Sequence, residues 1–195
     1  MSKPVLQIVI GSTRPGRVGL PVGEWILDEA VAHKGFEPEL VDLAEVGLPL
    51  FDEPHHPRLR RYEHRHTREW SAAVDRADAF VFVIPEYNHG FNAAIKNALD
   101  YLHQEWQHKP VGFVSYGGVA AGTRALQMLK PVVASLKMVP VVEAVNIPFV
   151  RTFLDDEQRL RPNEVMTAAS AAMLDELARL AVALRPLRDP DLAED

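Results

Sequence analysis

A chain of 195 residues with 47% hydrophobic side chains can bury a substantial core and lies within the size range of one domain. It contains no cysteine, which excludes disulfides, thiolate metal sites, a cysteine nucleophile and iron–sulfur ligation, so any redox chemistry must be carried by a bound cofactor. The formal net charge of -6 gives no support to general nucleic-acid binding. No apolar stretch is long enough to span a bilayer, and the segment before Gly11 is too short for a secretory signal, so a soluble, cytoplasmic protein is expected.

The first element is a strand over Val5 to Ile10, nearly all apolar and rich in β-branched residues, as in a strand covered on both faces. The loop "GSTRPGRVG", Gly11 to Gly19, follows it, and Val18, Val22, Ile26 and Ala30 then mark a helix. "FEPELVDL", Phe36 to Leu43, is a second and weaker strand. The basic stretch "HHPRLRRYEHRHTREW", His55 to Trp70, holds five arginines, two glutamates and four of the eight histidines. It is expected to be a solvated loop running into a helix with Trp70, Ala73 and Val74 inward. An arginine surface that recognises a phosphate and a metal site through His55, His56, His64 and His66 are the alternatives.

"AFVFVI", Ala79 to Ile84, is the strongest strand, and "PEYNHG" links it to a helix whose apolar face is Phe91, Ala94, Ile95, Ala98, Leu99 and Leu102. "VGFVSY", Val111 to Tyr116, leads through "SYGGVAAGTR" into a helix carrying Leu126, Leu129, Val133 and Leu136, with a kink expected at Pro131. A fifth strand spans Val139 to Val145. The last helix, Asn163 to about Leu184, is predicted to bury Val165, Ala169, Ala172, Met173, Leu177, Leu180 and Leu184. Residues 185–195 lack apolar periodicity and are expected to form a mobile tail after a single domain over residues 1–184.

Strand and helix alternate, which argues for a parallel sheet with helices on both faces and ligands bound beyond the carboxyl ends of the strands. The three loops there have unusual compositions. "GSTRPGRVG" offers hydroxyls, two arginines and a helix N-terminus to a phosphate. It fails the triphosphate pattern, having Arg17 and Val18 where Lys and Ser or Thr are required, and the dinucleotide pattern, having Thr13 where the second glycine belongs. A monophosphate loop or a plain turn remains. In "PEYNHG", Tyr87 offers a flat face and Asn88 a donor and an acceptor, although Asn88 as a helix cap is the structural alternative. In the third loop, Gly117 and Gly118 let backbone N–H groups approach a planar ligand, unless the loop is simply flexible. Together the loops describe a mononucleotide with a large ring, and flavin mononucleotide is the natural candidate.

These stretches, with "FNAAIKNALDYL" and "ALQMLKPVVASLKMVPV", resemble the NADPH-dependent FMN reductases of the flavodoxin-like superfamily, which includes soluble quinone and azo-dye reductases. The resemblance runs from about Val5 to Phe149. It implies an α/β, flavodoxin-like three-layer sandwich with a five-stranded parallel sheet in the order 2-1-3-4-5, and a homodimer or homotetramer. It also implies FMN at the carboxyl edge. Ser12, Arg14 and Arg17 match the family's phosphate loop. Pro85, Glu86, Tyr87 and Asn88 match the loop beside the ribityl chain and ring, and Ser115, Gly117 and Gly118 match the loop along the ring's other edge. Many members have serine where Gly90 stands, so a hydroxyl contact is missing at that position.

The implied reaction passes hydride from NADPH, or NADH, to FMN and on to a quinone, an azo compound or free flavin, with no catalytic side chain and no metal nominated. Backbone N–H groups near Gly117 and Gly118 are expected to stabilise the negative charge of the reduced ring. A flavodoxin-like electron carrier that does not oxidise nicotinamide is the rival, disfavoured because "SYGGVAAG" leaves a ring face open. A flavin-free phosphate-binding domain is the third reading.

Overall fold

The computed structural model describes residues 3–188. Five parallel strands, β1 (Val5–Ile10), β2 (Glu37–Asp42), β3 (Ala79–Pro85), β4 (Pro110–Tyr116) and β5 (Val139–Ile147), pair in the order β2-β1-β3-β4-β5. This is the expected order. The runs predicted from apolar content coincide with the strands to within one or two residues at each end.

Alternation along β3 explains the layers. Val81 and Val83 join a core with α1 (Gly19–His33) and α6 (Glu164–Ala183). Phe80, Phe82 and Ile84 face α3 (Arg65–Arg76), α4 (Ala93–Asp100) and α5 (Thr123–Ser135). Every residue of β3 and β4 is buried, because helices cover both sides. On the second side Trp106 packs against Phe80 and Phe82, at centroid separations of 5.1 and 6.2 Å, and Trp70 lies 6.0 Å from Trp106. Both indole N–H groups are satisfied by α4 carbonyls, Trp70 to Ala98 at 2.9 Å and Trp106 to Leu99 at 3.2 Å.

Pro131 lies inside α5, which continues to Ser135. The face α6 buries is Met166, Ser170, Met173, Leu174, Leu177 and Ala181, rotated from the predicted stripe so that Val165 is 75% exposed. The segment "AASAAM" is so rich in alanine that apolar residues lie almost all round the helix, and periodicity alone does not fix its orientation. Residues 185–188 are placed, with a 3₁₀ turn over Arg185–Leu187 and an ion pair between Arg188 and Asp78 at 3.0 Å. The rest of the predicted tail lies outside the described residues.

The basic stretch is folded by its own polar contacts. Glu53 accepts the backbone N–H groups of Glu63 and His64 at 2.8 and 3.0 Å, and His66 pairs with Asp52 at 3.0 Å. His64 stacks on His66, and Tyr101 donates to Asp52 at 2.9 Å. The inward residues of α3 are Thr67, Trp70, Ser71 and Val74, with Ala73 half-buried. Among the described residues no three His, Asp or Glu side chains are grouped to hold a metal ion, and no helix is long and apolar enough to cross a membrane.

Between β4 and β5 the register slips: β4 advances from Val111 to Phe113 while β5 advances from Pro140 to Ala144. The strand bulges there, with Val142 84% exposed, and carries two more residues than its partner.

Lys109, at the entry to β4, is buried and donates to the carbonyls of Val74 and Asp75, at 2.8 and 2.9 Å, capping the last turn of α3. Burial pushes its pKa down from 10.5 to about 8. The unfolded chain therefore binds more protons at this group than the folded one, so its contribution to stability rises with pH across that window. Between about pH 7.5 and about pH 9.5 the protein is expected to gain roughly 2 kcal/mol relative to Lys109→Met, read from paired urea-unfolding curves. Parallel pH dependences in the two proteins would refute the assignment.

Candidate functional site

The sheet order reverses between β1 and β3, so the loops leaving their carboxyl ends diverge and open a crevice. In the loop after β1, Pro15 and Gly16 occupy the centre of a turn closed by Arg17 N–H to Arg14 C=O at 3.1 Å. Gly16 has φ +66°, as the third position of a type II turn requires. This turn leaves Arg14 exposed at the mouth of the crevice and folds Arg17 back against the sheet. There Arg17 forms an ion pair with Asp42, the last residue of β2. Asp42 also accepts Ala44 N–H at 2.9 Å, capping the short helix α2 (Leu43–Val46). Arg17 Nε is buried and has no partner. Ser12 is fully buried, its hydroxyl 2.8 Å from the hydroxyl of Tyr87.

The loop after β3 is a tight two-residue turn. Tyr87 and Gly90 exchange backbone hydrogen bonds at 2.9 and 3.0 Å, and the central residues Asn88 and His89 both have positive φ, +50° and +70°. This is the type I′ pattern, for which asparagine is well suited. Asn88 is thus a turn residue at the exposed tip, neither on the cavity wall nor capping α4, whose N-cap position is held by Asn92. The turn fixes Glu86, whose N–H donates to Tyr116 C=O at 3.0 Å, and presents Tyr87 to Ser12. Burial works against the Glu86 carboxylate, but the Arg124 guanidinium and N–H hold its pKa below the usual value.

At the end of β4, Ser115 and Tyr116 point to opposite sides. Ser115 donates to Ala121 C=O at 2.8 Å and lies 2.8 Å from Asn146 Oδ1, so it holds the loop together and does not line the cavity. Tyr116 does line it, and burial, with Tyr87 nearby, raises its phenol pKa so that it stays protonated. The Gly117 N–H is taken by Ile147 C=O at 3.2 Å, whereas the Gly118 N–H has no partner among the described residues. Gly118 C=O accepts from Ala121 and Phe149. A fourth segment closes the site: Phe149, at φ +46°, opens a 3₁₀ turn over Val150–Phe153.

The resulting cavity has a volume of about 380 Å³, within the range of small-molecule sites. Of the predicted residues, Ser12, Arg14 and Arg17 form one end of it. Pro85, Glu86, Tyr87, Gly117 and Gly118 form the other walls. Tyr116 and the segment Phe149 to Thr152 were missed by sequence reasoning. The second was findable, because it is the loop after β5, but the predicted strand stops at Val145, short of the true edge at Ile147.

The donor set suits FMN. Guanidinium groups, one with an unpartnered buried N–H, and a helix start lie at one end, where a phosphate would be held. Tyr87, Tyr116 and the Gly117–Gly118 segment line the same cavity and offer aromatic faces and a side-chain-free wall to a planar ring. A Cβ built on Gly118 meets nothing within 4 Å, so that wall is open to a flat ligand.

Comparison with known proteins agrees with this geometry. A family model described as NADPH-dependent FMN reductase matches residues 5–152. An NAD(P)H-dependent FMN reductase of Schizosaccharomyces pombe is 39% identical over 149 residues, covering 74% of each chain. An NADPH azoreductase of a Bacillus species is 32% identical over 128 residues, covering 64% of this chain and 66% of that one. Among solved structures, a flavoenzyme NAD(P)H:(acceptor) oxidoreductase from Paracoccus denitrificans superposes with a TM-score of 0.73 over 92% of this chain and 98% of its own, at 18% identity. A WrbA-like flavodoxin from Agrobacterium tumefaciens superposes with a TM-score of 0.60 over 93% and 99%, at 18% identity, which places the fold in the flavodoxin-like class. With the match extending from the first strand through the last wall of the cavity, the chain belongs to the NADPH-dependent FMN reductase family.

Proposed function

We propose that the FMN reductase reaction of this family takes place in the cavity at the carboxyl ends of β1, β3 and β4, with a quinone, an azo compound or free flavin as the final acceptor. The observation that carries the proposal is the convergence of three strand-end loops on one cavity that is lined by both cationic donors and an open glycine segment. Bound FMN supplies the two-electron chemistry, taking hydride from reduced nicotinamide and releasing it to the acceptor. The protein supplies placement. Arg14 and the free Nε of Arg17 hold the phosphate, and Asp42 fixes the direction from which Arg17 approaches. Ser12 and Tyr87 brace each other beside the ribityl chain, and the Gly118 N–H favours the charge that reduction adds. No protein nucleophile is required. By family resemblance the protein is a homodimer or homotetramer.

The deciding experiment is an absorbance spectrum of the purified protein after incubation with FMN and removal of excess, followed by anaerobic addition of NADPH. A yellow protein that bleaches promptly is the expected result. A protein that stays yellow with NADPH and NADH would be an electron carrier, and one that never holds flavin would leave the cavity to another anion.

The phosphate assignment has its own test. Arg14→Ala is expected to weaken FMN binding about tenfold to a hundredfold in a flavin titration, the range of a lost hydrogen bond to a charged group. Arg61→Ala removes an exposed arginine remote from the strand-end loops and is expected to change affinity less than about twofold. Equal affinities for the two variants would sink the assignment.

A further inference from the structure

We propose that Arg124 sets the electrostatic balance of the flavin site by acting through Glu86, as a charge-balancing and positioning residue that does not itself touch the cofactor. The inference rests on the reading that FMN occupies the cavity.

Glu86 is on the cavity wall, and its side chain is 7% exposed. Its carboxylate forms an ion pair with the Arg124 guanidinium and accepts the Arg124 backbone N–H at 3.3 Å. Arg124 is not on the cavity wall; its side chain is 45% exposed on the outer side of the pair. It stands in the first turn of α5, where the helix dipole disfavours a cation, and the N-cap residue Gly122 has no side chain to cap the helix. Glu86 resolves both conflicts, satisfying an N-terminal N–H and neutralising the arginine. The second guanidinium nitrogen lies 2.9 Å from His89 Nε2, so Arg124 also ties down the tip of the turn that carries Tyr87. A helix N-terminus without an acid in its first turn has in effect borrowed one from the cofactor loop.

The wall therefore presents a neutral pair to the ring. Two-electron reduction adds negative charge to the ring, so unbalancing the pair changes the relative affinity for reduced and oxidised flavin. Arg124→Ala leaves a carboxylate at the wall and disfavours the reduced form. Glu86→Gln leaves a guanidinium nearby and favours it. A purely structural role predicts no such opposition: both substitutions would loosen the same turn and weaken FMN binding alike.

The experiment reconstitutes the wild type, Arg124→Ala, Glu86→Gln and the double variant with FMN near pH 8.5, above the carboxylate range. It measures the FMN dissociation constant by fluorescence quenching and the two-electron midpoint potential by dye-equilibrated titration. Arg124→Ala is expected to lower the reduced-to-oxidised affinity ratio about tenfold, which is about 30 mV more negative. Glu86→Gln is expected to raise it by a similar factor, the double variant to return within about threefold of wild type, and Arg124→Lys to restore most of the value. Shifts of the same sign, no shift with flavin bound, or loss of FMN from both single variants would overturn the inference. A wild-type protein that fails to hold FMN would instead overturn the assignment of the cavity.

Discussion

Gly118→Val is expected to lower FMN affinity about a hundredfold while leaving the melting temperature of the flavin-free protein within about 2 °C of wild type. Gly118 forms part of the cavity wall, has no positive φ to forbid a side chain, and faces open space where its Cβ would stand. A Cβ there meets no protein atom within 4 Å, so a side chain on this wall is expected to take space from the ring and not from the fold. Overpacking of this kind costs up to about 3 kcal/mol, and the whole cost falls on binding. A flavin titration and a thermal melt, run on the same preparation, check both halves. Wild-type affinity would show that the ring lies elsewhere, and a large drop in melting temperature would show that Gly118 supports the fold.

Four residues further on, the opposite result is expected. Gly122→Ala should destabilise the fold by about 3 kcal/mol or more, the sum of a strained backbone and an overpacked contact. Gly122 has φ +79°, and a Cβ on it would stand 2.7 Å from Tyr116 N and 2.8 Å from Ser115 Cβ. Neither neighbour can move, since Tyr116 is the last residue of β4, paired with Pro85 and Ile147, and Ser115 is fully buried. For a chain of this size the melting temperature should fall by about 10 °C. Chemical unfolding of the flavin-free protein tests it, and a loss below about 0.5 kcal/mol would mean that the loop re-forms without this close approach. Two glycines in one loop thus have separate duties, one open to the ligand and one required by the backbone.

Much of this was legible in the sequence because the signals were local. The apolar runs Val5 to Ile10 and Ala79 to Ile84 have one sensible use, as strands covered on both faces, and "RPGR" encodes its own turn through Pro15 and Gly16. The strand ends then bring three loops to one edge, and eight of the ten nominated residues line the cavity there. What was not legible depended on direction. Asn88 and Ser115 sit in the right loops, but one serves the tip of a turn and the other faces its own loop, and composition carries no record of which way a side chain points. The ion pair of Arg17 with Asp42 joins residues 25 positions apart through the pairing of β1 with β2, so no window of sequence contains it. The face of α6 was obscured by alanine, which is apolar enough to enter any stripe and too small to define one.

The bulge in β5 has a consequence for how the site is made. The extra length is two residues, an even number, so alternation is kept on both sides of it: Val141 and Val145 both reach the core while Val142 bulges to solvent. The bulge takes up one pleat's worth of extra chain, so the pairing resumes in step and Ile147 ends level with Tyr116. The segment Phe149 to Thr152 therefore leaves the sheet beside the loop after β4, with Phe149 N–H donating to Gly118 C=O at 3.3 Å, and so lines the cavity. The residues that pack the core and the end from which this wall departs thus belong to different parts of one strand, and the slack between them is discharged to solvent at Val142.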